Sequence, residues 1–132
     1  MSEKIKYSLT VQVVGGTSIP VTGEIAADAY GKIQVAVVAG ASDLEVNLQP
    51  GGTKLGQFLL IKSSSYGTAA NPLTYKVNDK TSTTVIALDA PHLFIGKGAV
   101  AILDSSPTKL FFSSSLTTDV TIDILVGRDA TP

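Results

Sequence analysis

The sequence predicts an all-β protein, a two-sheet antiparallel β-sandwich that is jelly-roll-like. Three observations lead there. Asp119–Val126 alternates cleanly: Val120, Ile122, Ile124 and Val126 share one face, while Asp119, Thr121 and Asp123 share the other, broken only by Leu125. Side chains on a strand point to opposite faces with period two, so one face suits a core and one suits water. The same signature recurs along most of the chain in short segments separated by turn-forming residues. No segment sustains a helical period, and no long strand–helix–strand unit occurs, which argues against a parallel α/β fold.

Taken in order, Ile5, Tyr7, Leu9, Val11 and Val13 alternate with Lys4, Lys6, Ser8, Thr10 and Gln12, predicting a half-buried strand ended by Gly15-Gly16. Ile19, Val21 and Ile25 predict a second strand. Pro20 lacks a ladder donor, so this strand belongs at an edge or bulge. Ala26–Ala29 has the composition for one helical turn at most. Within Tyr30–Ala39, Ile33, Val35 and Val37 are in phase, and Gly40 stops the pattern. Asp43–Gln49 alternates again before the turn Pro50-Gly51-Gly52.

Phe58-Leu59-Leu60-Ile61 is continuously apolar, as expected of a strand buried on both faces. A loop through Ser63–Ser65, Tyr66-Gly67 and Asn71-Pro72 follows, then Leu73, Tyr75 and Val77 alternate with polar neighbours. Asn78-Asp79-Lys80 predicts a turn into Thr83–Leu88, which is rich in β-formers. His92–Ile95, Ala99–Leu103 and Lys109–Phe112 read as short apolar strands, and Asp119–Val126 closes the sheet. The expectation is one domain over 1–132, with short arms at 1–6 and 128–132.

Composition limits the chemistry. The chain has no Cys, which excludes disulfides, thiolate catalysis and Cys-based zinc sites, and it has no Trp. A net charge of −1 argues against nucleic acid, which needs a basic field. Nothing approaches the roughly 20 apolar residues of a membrane helix, so no membrane partner is expected. Charged residues make up 16 %, below the roughly 25 % of an average protein. Much of the polar surface is therefore Ser and Thr, which suits broad packing against other protein.

His92 is the sole His. It could be assembled with Asp89 and one of Ser63–Ser65 into a hydrolytic triad, but no Gly-x-Ser-x-Gly elbow supports that. A His satisfied at a strand end is favoured. One His with scattered carboxylates makes no transition-metal pattern, and Asn78-Asp79 and Asp104-Ser105 are too sparse for calcium. No catalytic, cofactor or metal residue is therefore assigned. Asp119 and Asp123 share a wet face rather than forming a glycosidase pair. Gly51-Gly52-Thr53-Lys54 lacks phosphate-loop spacing and reads as a turn. The triple Ser after two apolar runs, at Ser63–Ser65 and Ser113–Ser115, reads as strand-end chemistry. Lys4 and Lys6 share the outer face of the first strand, where Lys protects edges. Tyr30 and Tyr66, each beside Gly, are candidates for a partner surface, and covering a core edge is an equal reading for both.

Several strings in the second half resemble small virion proteins of tailed bacteriophages and prophages. They are Phe58-Leu59-Leu60-Ile61-Lys62-Ser63-Ser64, Leu73-Thr74-Tyr75-Lys76-Val77-Asn78, Leu93-Phe94-Ile95-Gly96 and Ile124-Leu125-Val126-Gly127-Arg128-Asp129. The resemblance implies a capsid decoration, or cement, protein with a jelly-roll-like sandwich. It further implies a virion location after synthesis in the host cytoplasm, a homodimer or homotrimer, and a major capsid protein as partner. Lys4, Lys6, Tyr30, Tyr66, Arg128 and Asp129 are the interface candidates on this reading. A carbohydrate- or receptor-binding sandwich, with a glycan held by the polar loops around Tyr66 and Asn71, is the alternative. A small hydrolase using His92 ranks third.

Overall fold

Among the described residues, ten strands form where alternation meets turn chemistry. In the computed structural model, the described residues are 3–27, 29–48, 56–104 and 107–128. The strands are β1 (Glu3–Gln12), β2 (Ser18–Ala27), β3 (Ala29–Val37), β4 (Leu44–Asn47) and β5 (Gly56–Ser63), then β6 (Leu73–Val77), β7 (Ile86–Ala87), β8 (His92–Ile95), β9 (Lys109–Ser114) and β10 (Val120–Arg128). One short helix, α1 (Lys97–Val100), follows β8.

The body is an antiparallel β-sandwich. One sheet has the order β3-β10-β5-β8 and the other β4-β9-β6-β7. The pairing is nested: β3 lies beside β10, β4 beside β9, β5 beside β8 and β6 beside β7. β1 and β2 form a separate two-stranded hairpin.

The main core lies between the two sheets. Leu59, Ile61, Ile122 and Ile124 from one sheet meet Leu73, Tyr75, Leu110 and Phe112 from the other, all at most 1 % exposed. The apolar row of β10 faces inward, as its alternation predicts. β5 is buried on both faces, as its continuous apolar run requires. Leu59 and Ile61 enter the main core, and Phe58 enters a second cluster on the sheet's outer face with Ile5 and Ala27. Half-buried Leu125 packs there too, which explains the one break in the polar row of β10.

Four expectations are corrected. Ala99–Leu103 is no strand: α1 and a turn occupy it. Gly96 adopts φ 95°, the Val100 N–H donates to the Gly96 carbonyl at 3.1 Å, and Val100 is buried beside Gly56. A two-fold pattern over so few residues does not distinguish a strand from a single helical turn. Within Thr83–Leu88 only Ile86–Ala87 pairs. The residues before it are held instead by local bonds, Thr81 N–H to Asp79 at 2.9 Å and Thr84 N–H to Ser82 at 3.2 Å. Ala26 and Ala27 end β2 and Ala29 begins β3, so the helical turn does not form. Residues 3–6 are the root of β1 rather than an extended arm. The turn Pro50-Gly51-Gly52, the string through Lys54 and the tail beyond Arg128 lie outside the described residues.

Candidate functional site

The hairpin is the molecule's departure from a closed sandwich. Its register pairs Ile5 with Ile25, Tyr7 with Gly23, Leu9 with Val21 and Val11 with Ile19. Period-two geometry puts all eight on one face. Lys4, Lys6, Ser8 and Thr10 share the opposite face with Thr22 and Glu24. Both Lys4 and Lys6 lie near Glu24, at 4.0 and 3.8 Å. These ion pairs are exposed and contribute little stability.

The apolar face changes partners along its length. At the root, Ile5 and Ala27 are buried against Phe58, with Tyr7, Ile25, Leu60, Ile95 and Leu125 packed around them. Gly127 makes this docking feasible. A Cβ there would stand 2.5 Å from Ile5 Cδ1 and 3.4–3.5 Å from the Cβ atoms of Phe58 and Ala27. Gly23 gives the Tyr7 ring room in the same way, since a Cβ would meet the phenol oxygen at 2.5 Å. Beyond Tyr7 the cover ends. Exposure rises from 9 % at Ile5 to 41 % at Leu9, 55 % at Val11 and 64 % at Val13. Ile19 and Val21, opposite, are exposed as well. The Val13–Thr17 turn closes the hairpin, with the Val13 N–H donating to the Thr17 carbonyl at 2.8 Å and Gly15 at φ 76°. Val14 at its tip is almost fully exposed. The sequence predicts a half-buried strand here. The distal half is instead an aliphatic ribbon facing solvent.

Three interface candidates converge at the root. Lys4, Lys6 and Tyr30 line one shallow groove of about 350 Å³ with Ile5 and Leu125. A neighbouring groove of about 280 Å³ has an apolar floor of Leu60, Ile124 and Leu125 and a charged rim of Lys32, Lys62 and Asp123. Tyr30 is exposed, whereas Tyr66 is half-buried against the main core. The Tyr66 hydroxyl accepts the Ser63 N–H at 3.2 Å, so Tyr66 covers a core edge. Arg128 ends β10 opposite Ala29, with its backbone alone described, and Asp129 lies outside the described residues. The alternation shows Leu9, Val11, Ile19 and Val21 but not their exposure. The available signal is length, because two matched ten-residue strands exceed the usual five or six.

His92 sits in an aromatic chain that joins the sheets. Its ring meets Tyr75 edge-on at 5.7 Å and Phe94 at 6.1 Å, and Tyr75 in turn meets Phe112 at 5.8 Å. Tyr75 is fully buried, and burial pushes its phenol above the ordinary range, so it stays protonated. Its hydroxyl shares a hydrogen bond with His92 Nδ1 at 2.8 Å. Burial lowers the pKa of His92, and Asp89 opposes that shift without reversing it. A groove of about 510 Å³ runs past His92 between Ile86, Phe94 and the exposed Ile102.

Two of the three serines that could have joined His92, Ser63 and Ser64, serve the backbone. Ser63 Oγ accepts from Ser65 N–H at 3.4 Å and Ser64 Oγ from Thr121 N–H at 3.0 Å. Ser113 and Ser114 act likewise, toward Asp43 and Leu116. Asp119 accepts from Ala39 N–H at 2.9 Å and Asp123 from the Gln34 amide at 3.0 Å, so each carboxylate is engaged with β3 or its end. Among the described residues, no three His, Asp or Glu side chains gather as a metal site would need. No protein-family model, curated protein or solved structure matches the chain.

Proposed function

We propose that this chain is a non-enzymatic virion structural protein, a capsid decoration protein that assembles as an oligomer and stabilises contacts between capsomers. The observation that carries the reading is the hairpin: a closed sandwich bears a projecting ribbon whose aliphatic face has cover only at its root. An apolar face of this kind marks an interaction surface. The grooves beside Tyr30 and Leu125 extend that surface onto the body. The nested strand pairing supports the jelly-roll part of the reading, since two interlocked Greek keys in two sheets would give that order. The engagement of His92, Ser63, Ser64, Asp119 and Asp123 in structural bonds favours a binding role over hydrolysis. The sequence resemblance supplies the capsid as target, and many copies on a lattice convert weak single contacts into firm attachment.

Purified protein added to capsids of the source phage that lack it should co-sediment with them and raise the temperature at which they release DNA. Absence of the chain from purified virions, or no binding to such capsids, refutes the reading. Tyr66 is committed to the core edge rather than presented to a sugar, which weighs against the glycan-binding alternative.

A further inference from the structure

Among the described residues, nothing covers the apolar face of the distal hairpin. We infer that its partner is a second copy of this chain: two hairpins pack with their Leu9, Val11, Ile19 and Val21 faces together in a two-fold contact. The inference rests on the hairpin being an assembly surface, as proposed above, and not on the capsid being the target.

Four observations point to a second copy. The distal face is wholly aliphatic, and Lys4, Lys6 and Glu24 sit on the opposite face near the root, where Glu24 lies near both lysines. A face with no charge has nothing to repel its own image, which is what an isologous contact requires. The patch also continues without interruption from the buried cluster of Ile5, Ala27 and Phe58, so a second copy would extend a core that already exists. A two-stranded ribbon is marginal in water until a third layer or strand covers it, and only the root is covered here.

Area sets the strength. The exposed portions of Leu9, Val11, Val13, Ile19 and Val21 amount to roughly 400 Å² on each copy, comparable to the largest patch on an ordinary monomer. Two copies would bury at most roughly 800 Å² together, below the about 1,200 Å² of stable specific pairs. The contact is therefore concentration-dependent in solution and becomes firm only where copies are held close, as on a lattice. Packing at the ribbon's centre brings Val11 and Ile19 of one copy against the same pair of the other.

Sedimentation equilibrium of the full chain, from about 1 µM to about 500 µM, tests this with two double variants. One carries V11K and I19K, the other V11D and I19D. The wild type should pass from monomer to dimer, each variant alone should associate at least about tenfold more weakly, and an equimolar mixture should recover dimer. The sandwich should keep its urea midpoint in both variants, which separates lost association from lost folding. A wild type that stays monomeric throughout, variants that associate like the wild type, or a mixture that stays monomeric overturns the inference. Capsid co-sedimentation of the same samples separates the two readings. A monomer whose capsid binding falls with V11D and I19D would keep the decoration reading and replace the second copy by capsid protein. Dimers that ignore capsids would do the reverse.

Discussion

β1 and β10 carry the same alternation and meet opposite fates. In β10, Ile122 and Ile124 are at most 1 % exposed between two sheets. In β1, Leu9 and Val11 are about half exposed on a ribbon. The side-chain chemistry is alike, and the difference is what lies above each face. β10 is central in its sheet, flanked by β3 and β5 and covered by the second sheet. β1 has one neighbour, and cover only as far as Tyr7. Alternation therefore establishes that a face is apolar, and topology decides whether the chain itself covers it.

Substitutions should separate the two regions, and the largest effect belongs to β10. Ile122→Asp or Ile124→Asp places an unpaired charge in the core, at a cost of several kcal/mol. The expected result is an insoluble or unfolded protein by circular dichroism; a soluble mutant with cooperative unfolding would break the assigned register. Phe112→Ala, also in the core, should cost about 3–5 kcal/mol in urea unfolding. A loss near that of a surface mutant would show the two sheets to be loosely packed.

A smaller effect is expected at the junction of the two regions. Gly127→Leu forces a side chain into the space held by Ile5, Phe58 and Ala27. Overpacking of this kind costs about 1–3 kcal/mol. The expected outcome is faster hydrogen exchange of β1 and β2 amides with β6 and β9 unchanged. Uniform acceleration across the chain would mean that hairpin and body unfold as one unit.

The pH effect is smaller still. The folded chain binds a proton at His92 less readily than the unfolded chain, because burial lowers its pKa. Between the lowered folded value and the ordinary value near 6.5, the unfolded state holds more protons, so stability falls as pH falls through that window. His92→Phe should flatten the dependence of the urea midpoint between about pH 7.5 and 5.5. An unchanged slope would assign the dependence to another group. Smallest of all, Val11→Asp should shift monomer stability by no more than about 0.5 kcal/mol, as at an ordinary surface site. A large loss there would show that the distal ribbon is covered by its own chain.

Much of the body was legible in sequence because burial on one or both faces leaves a pattern. The row Val120–Val126 gave β10, and the run Phe58–Ile61 gave a strand covered on both sides. Leu125, out of phase in β10, was a legible trace of the second cluster, although it points to no partner by itself. The nested order of strands was not legible, since connections leave no periodicity. Helix α1 was missed because one turn, preceded by Gly96 and containing Gly98, is too short to show a helical period. At the candidate site, residue types were legible but their settings were not. Tyr30 and Tyr66 look alike beside Gly, yet one is exposed in a groove and the other covers the core, because only the latter has Ser63 and the sandwich edge beneath it. Lys4, Lys6 and Tyr30 converge through the fold of β1 and β2 over β10, a juxtaposition invisible in sequence.

The contrast between β1 and β10 is tested most directly by methyl nuclear magnetic resonance across a concentration series. Methyl signals of Leu9, Val11, Ile19 and Val21 should shift or broaden progressively as concentration rises, while those of Ile122 and Ile124 stay fixed. Ribbon methyls that never move, or core methyls that move with them, would contradict the claim that this hairpin holds an apolar face for another molecule.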